Sequence, residues 1–290
     1  MQKAQGKVTH VGLAVSANLR HILHFDDLPS WMKVDPYIRH GYRRQLDSIY
    51  ACFRSLFYIH NEFVNAWSHL APAIAYTAIL LRSDYKLMQE EDIGVLRSDF
   101  LIVQGYVACT ATCLLFSGIY HTFNAHSDRV AQRFLKLDYL GIALNTVATC
   151  VSSTHFGLTA HPKLRSFYIT CSLAFACVVF FLVLSPTADG PKAAAWRSIL
   201  FISLAGSGYI PIVHSVCLEG LKGLSSFPLM YTLAMDALYL LGVFFYLTHL
   251  PESRYAGRFD IWGASHQIFH VFVALGQIVY FQGLKVLLHQ

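Results

Sequence analysis

The sequence predicts an all-α membrane protein built of seven transmembrane helices, and three observations predict it. Of 290 residues, 55% are hydrophobic and only 13% are charged, about half the charged fraction of a water-soluble domain. Mean hydropathy is +0.44. The apolar residues gather in seven blocks near 64–81, 99–121, 134–155, 165–185, 197–217, 228–250 and 266–288, each about as long as the ~20-residue helix that crosses a hydrocarbon core.

In chain order, residues 1–62 form an arm and 63–290 the membrane domain. The start, MQKAQGKVTH, lacks a signal peptide's apolar core, and Gln2 excludes an N-myristoyl motif. The arm segment DDLPSWMKVDPYIRHGYRRQLDSIYACFRSLFYIH mixes Trp, Tyr and basic residues. That composition suits a helix lying at the membrane interface, and an ordered cap on the bundle is compatible with it. The first span is short and extends back through Phe63. Brief polar loops separate the others, with Pro and Gly marking breaks at SPTADGP (185–191) and LPESRYAGRFD (250–260). Fifteen Lys and Arg fall on the arm's side of the spans and seven on the other. The positive-inside bias therefore puts the N-terminus in the cytosol and, after seven spans, the C-terminus outside the cytosol.

Composition also excludes. The net charge of +5 carries no basic stripe interleaved with aromatics, so no nucleic-acid partner is expected. Six of the seven cysteines fall inside apolar blocks, which reads as buried small hydrophobes rather than a disulfide framework. Cys109 and Cys113 share a helix face and are read as packing.

Polar groups in a bilayer are costly and usually face the bundle interior. The last span opens with SHQIFH, placing His266 and His270 one turn apart on one face. The second span, running the opposite way, ends LLFSGIYHTF, which brings His121 and, one turn deeper, Ser117 to the same depth. The third span starts RFLKLDYLGIAL, with Asp138 about one turn in. Three imidazoles and a carboxylate from three helices thus share one membrane level. Three neutral histidines with an open fourth position form the ligand set of a catalytic zinc site. Zinc lowers the pKa of a bound water to about 7. Asp138 would accept that water's proton or hold the water in place, and Ser117 could hydrogen-bond a substrate carbonyl or oxyanion. Each histidine alone reads more simply as a hydrogen-bonded packing residue. Two imidazoles on one turn cannot take opposite faces of a porphyrin, which argues against haem.

Glu62, Asn65 and His69 stack at the entrance of the first span. They read equally as residues that orient metal ligands or as a hydrogen-bonded helix start. Asp236, inside the sixth span, is either functional or paired with a neighbouring helix. Arg197 opens the fifth span, to snorkel or to pair with a head group. His126, His155, His161, His214 and His249 lie near span ends and are read as interface residues.

Several blocks resemble one family. ExNxxxH (Glu62, Asn65, His69), SxxxHxxxxHS (Ser117, His121, His126, Ser127), LDYxGI (Leu137 to Ile142) and PExRxxGxFDIWGxSHQxFH (Pro251 to His270) look like the signatures of the progestin and adipoQ receptor family. LPSWMKVDPYIRHGYR is similar to its entry segment, and the likeness runs over about residues 28 to 289. The short arm is most like the fungal zinc-homeostasis branch or the adiponectin receptors. The resemblance implies one zinc held by His121, His266 and His270, with Asp138 reaching it through a water. It implies a lipid cavity between the helices and hydrolysis of the ceramide amide to sphingoid base and fatty acid. It also implies that Arg197 contacts the fatty-acid product and that Tyr139 lines the cavity. The expected home is the endoplasmic reticulum or plasma membrane, with a candidate extracellular ligand at the C-terminal side and a candidate cytosolic partner at the arm.

Three functions compete. The first is a zinc-dependent ceramidase-like hydrolase. The second is a receptor or sensor whose zinc is structural. The third, a transporter for zinc or protons, needs a polar path across the full span. The outer halves of the second, third and seventh spans read as nearly all apolar, which counts against it.

Overall fold

The computed structural model describes residues 22–89, 97–185 and 193–288. Within them, seven helical segments are long and apolar enough to cross a membrane. Helix is what a bilayer permits, because no water is present to satisfy an open backbone. The spans are α2 (Phe63–Gln89), α3 (Arg97–Phe123), α4 (Asp128–Gly157), α5 (Pro162–Leu184), α6 (Ala194–Ser207) with α7 (Ile210–Glu219), α8 (Leu229–Thr248) and α9 (Ser265–Leu288). From α2 to α6 each span packs against the next, α8 packs against α9, and α9 closes the bundle against α2 and α3.

The fifth span is not the single helix expected over 197–217. It breaks at Gly208 and Tyr209 and resumes with Pro211 in the first turn of α7. Proline has no N–H to give an ongoing helix and is favoured where a new one starts. The cysteines need a second correction. Cys52, Cys113 and Cys150 are buried, but Cys171, Cys177 and Cys217 are exposed on the outer surface. Against lipid an exposed thiol is as acceptable as a buried one, so apolar context did not fix which way each points.

The apolar core lies in two parts. Tyr106, Leu114, Tyr280 and Leu284 pack between α3 and α9, and Val147, Val179 and Leu204 pack between α4, α5 and α6. The expectation of apolar outer halves also fails. Away from the histidines, α3, α4 and α9 bury Thr110, Asn145, Thr149, Ser152, His155 and Gln277. Mean hydropathy along a span averages the lipid face with the core face and hides such residues.

The described part of the arm, residues 22–62, is outside the bundle but built onto it. The first 21 residues lie outside the described chain. Strands β1 (Ile22–Leu23) and β2 (Tyr42–Arg43) pair antiparallel. Leu28, Ile38 and Tyr42 share a small core with Ala264, just before α9. Helix α1 (Ile49–Ser55) starts at Ser48, whose side chain accepts from Ala51 N. It buries Ala51 and Cys52 while Ile49, Tyr50 and Phe53 stay exposed, an amphipathic face suited to the headgroup layer.

Candidate metal centre

The first turn of α9 is set by its flanks. Glu252 accepts from Ser265 N at 2.8 Å and from the Ser265 hydroxyl, and Gln267 Oε1 accepts from Gly263 N at 2.7 Å. That start fixes His266 and His270 on one face, their ring centres 4.6 Å apart. The last turn of α3 delivers His121, whose ring lies 5.0 Å from His266 and 4.8 Å from His270. One ligand atom from each of the three lies within 4.8 Å of the others. His121 and His270 are each only 2% exposed.

Second partners fix which nitrogen carries the proton. His121 Nδ1 lies 2.7 Å from Glu62 Oε2, which also accepts from Asn65 Nδ2 at 2.7 Å. A carboxylate only accepts, so Nδ1 is the protonated nitrogen and Nε2 keeps its lone pair. His270 Nδ1 lies 3.2 Å from Asn65 O and 3.0 Å from Ser68 Oγ. Ser68 itself donates to Asn65 O, so His270 Nδ1 donates here and its Nε2 is left bare. The bare Nε2 of His121 faces His266 Nε2 at 3.3 Å. Buried imidazoles gathered this way, with Nδ1 protons tied to a carboxylate and a carbonyl, match how zinc-binding histidines are oriented. The donor set therefore fits zinc.

Glu62 turns its carboxylate to His121, and Asn65 turns its amide to Glu62, rather than back to the start of α2. His69 stacks flat on His270 at 3.7 Å with its Nε2 3.3 Å from His270 O. It backs the site rather than joining the cluster. Asp138 faces it from α4, hydrogen-bonded by Ser117 and within electrostatic reach of His121. The Ser117 hydroxyl is thus engaged by Asp138. Two glycines allow these approaches. A Cβ on Gly118 would lie 2.6 Å from Leu70 Cγ, and one on Gly141 would lie 2.9 Å from Cys113 Cα. Without side chains, α3 closes on α2 and α4 closes on α3. Arg197 is brought to Tyr139, its guanidinium carbon 4.6 Å from the ring centre.

Two contributors escaped the sequence. Arg43, 2% exposed, donates to His121 O and Thr122 O, each at 2.8 Å, and to Asn124 Oδ1 and Ser55 Oγ. It caps the C-terminal carbonyls of α3 beside the candidate ligand His121, and the helix dipole favours a cation there. His60 links the arm to Glu62: its Nε2 lies 3.1 Å from Ser55 O and its Nδ1 accepts from Glu62 N. Burial, helped by Arg43, pushes His60 down to about 2, so its ring stays neutral. Arg43 sits in a charge-rich stretch that reads as surface, and His60 in an aromatic segment before the first span, FYIHNEF, where nothing singles it out.

The remaining candidates are paired locally. Tyr209 OH donates to Asp236 at 2.5 Å. His155 meets Asp99 at 2.7 Å, His161 meets Glu219, His214 meets the Tyr168 hydroxyl at 2.8 Å, and His126 meets Ser127. His249, Asp35 and Glu252 form a second group of metal-capable atoms. Glu252 spends both oxygens on Ser265, and Asp35 accepts from Tyr37 N while pairing with His249 at 3.1 Å. That pairing raises the His249 pKa. The group is a brace between arm and loop.

The chain is similar to known proteins over nearly its whole length. Residues 57–281 match the haemolysin-III-related family model, a stretch that contains the three histidines. An adiponectin receptor protein of Drosophila melanogaster is 30% identical over 265 residues, 91% of this chain and 59% of that protein. An ADIPOR-like receptor of Saccharomyces cerevisiae is 32% identical over 276 residues, covering 92% and 84%. The human progestin and adipoQ receptor family member 3 is 32% identical over 253 residues, covering 85% and 79%. The chain belongs to the haemolysin-III-related family, that of the progestin and adipoQ receptors.

Proposed function

We propose that this protein is a zinc-dependent intramembrane hydrolase that cleaves the amide of a ceramide-type lipid, releasing fatty acid and sphingoid base. The observation that carries the reading is the cluster of three histidines, two of them held in a fixed tautomer by Glu62 and Asn65, set beside a carboxylate that is not one of the cluster's ligands. His121, His266 and His270 would hold the metal. When bound, zinc supplies a Lewis acid that polarises a carbonyl and acidifies water. Asp138 takes a proton from the attacking water and returns it to the departing amine nitrogen, while Ser117 holds its carboxylate in place. Glu62 keeps His121 in the ligating tautomer. Arg197, stacked over Tyr139, offers a guanidinium to the fatty-acid carboxylate. By the charge bias the histidine end faces the cytosol, in the endoplasmic reticulum or plasma membrane. A receptor role, with an extracellular ligand at the C-terminal side and a cytosolic partner at the arm, would couple to this lipid chemistry and to lipid and zinc homeostasis.

The receptor names of the relatives favour a second reading, a non-catalytic sensor with structural zinc. Metal analysis and lipid mass spectrometry on purified wild type, His266→Ala and Asp138→Ala separate the two. Hydrolysis predicts about one zinc per chain. His266→Ala loses the zinc, and Asp138→Ala keeps it but releases fatty acid at least ~10²-fold more slowly. Full turnover by Asp138→Ala or by zinc-free protein sinks the mechanism. A sensor yields no lipid product and only a lower melting temperature without zinc.

A further inference from the structure

Helix α1 lies against the ends of two spans, at the level where they enter the membrane. Trp67, one turn into α2, donates from Nε1 to Leu56 O at 2.9 Å, just past the end of α1. The Phe53 ring meets that of Phe123, the last residue of α3, with centres 5.2 Å apart. Ile49, Tyr50, Phe53, Phe57 and Ile59 are nonetheless exposed, Phe57 at 81%. Single exposed apolar side chains need no explanation, but a run of them in one short segment marks a contact surface. Beside the span ends, the apolar phase within reach is the acyl layer.

The same segment encloses a cavity of about 180 Å³, lined by Ser48, Tyr50, Arg54, Phe57 and Tyr58 among others, with no carboxylate in its wall. Its polar groups are donors. Ser48 Oγ accepts from Ala51 N and keeps its own proton to give. Arg54 stacks on Tyr50, its guanidinium carbon 5.8 Å from the ring centre. Tyr58 lies within electrostatic reach of Arg43, Arg44 and Arg54. Arg43 is spent on the end of α3. Arg44 and Arg54 have no ion-pair partner among the described residues. Arg44 Nε is also buried without a hydrogen-bond partner. Asp47, the carboxylate nearest to Arg44 in sequence, holds the Gln45 amide with both oxygens, at 2.8 and 3.0 Å. A cation in the last turn of α1 suits the helix dipole, but that does not account for Arg44, which lies outside the helix.

We propose that this cavity binds the headgroup of an anionic phospholipid from the leaflet on the arm's side. The phosphate takes the Arg54 guanidinium and the hydroxyls of Ser48, Tyr50 and Tyr58. Arg44 adds a second uncompensated positive charge. The acyl chains lie along Phe53, Phe57 and Ile59. A small soluble anion would answer the charge but leave that apolar rim in water, so the two features together specify a lipid. None of these residues belongs to the histidine cluster, so the inference holds whether or not the cluster cleaves an amide.

The test uses the full chain in a neutral detergent, with native mass spectrometry reading retained lipid. Wild type should retain phosphatidic acid about tenfold more strongly than phosphatidylcholine, and the preference should shrink as salt rises. Arg54→Gln and Arg44→Gln should each lower retention of phosphatidic acid about fivefold, the effect of one charge at a membrane surface. Arg54 is exposed, so Arg54→Gln decides the matter if Arg44→Gln does not fold. Arg258→Gln, at an exposed arginine in the loop before α9, should leave retention unchanged. Equal retention of the two lipids by wild type overturns the proposal. So does an Arg258→Gln loss as large as that of Arg54→Gln, which would mean diffuse attraction. Displacement of phosphatidic acid by an equal concentration of glycerol 3-phosphate would assign the cavity to a soluble anion and overturn the lipid reading.

Discussion

Arg43 makes four hydrogen bonds where α1 meets the end of α3, two of them to backbone carbonyls at His121 and Thr122. Removing its side chain leaves buried acceptors unpaired and lets the last turn of α3 fray, carrying His121 with it. Arg43→Ala is expected to cost about 1–3 kcal/mol for the orphaned groups and to weaken zinc retention. Thermal melting and metal content after dialysis check this; wild-type values for both would show that the clamp is dispensable. His121, His266, His270 and Asp138 were legible in the sequence because ionisable residues are rare in apolar spans and shared a depth. Arg43 was not, because a guanidinium among other charges reads as solvated until the carbonyls it caps are seen.

Helices reach the site only as far as their surfaces let them. Gly141 allows α4 to approach Cys113 on α3, and a Cβ there would sit 2.9 Å from backbone. Gly141→Ala is expected to destabilise by about 1–3 kcal/mol through overpacking and to move Asp138 away from Ser117. The signature is a lower melting temperature with zinc retained and fatty-acid release reduced; unchanged melting would mean that the helices part without cost. The broken fifth span belongs to the same scale. Its length and hydropathy were legible as one span, whereas the break at Gly208, Tyr209 and Pro211 depends on where α6 and α7 pack.

Over the described molecule, residues 22–62 of the arm and the bundle form one body. Asp260 accepts from Arg39 N and His40 N, at 2.8 and 3.0 Å, tying the arm to the loop before α9. His60, 1% exposed, sits where arm meets bundle and is pushed down to about 2 by burial. In the unfolded chain it titrates near ~6.5. Its depressed native pKa means the unfolded state takes up a proton the fold refuses. Stability is therefore complete above about pH 6.5 and falls as the pH drops, by roughly 2 kcal/mol between ~6.5 and ~5. Melting curves of wild type and His60→Gln across that range should diverge, the variant showing the shallower loss. Parallel curves would contradict the linkage.

The sequence by itself determined the number of spans, their approximate limits and the depth at which His121, Asp138, His266 and His270 meet. The bilayer enforces these through length and composition, which are local properties of the chain. Only the tertiary structure decided which imidazole nitrogens are left bare, how Glu62 and Arg43 brace His121, and that the inner faces of α3, α4 and α9 carry polar groups from end to end. Those features depend on how helices distant in sequence rotate and approach one another. Hydropathy records a residue's affinity for lipid but not the direction in which its side chain points.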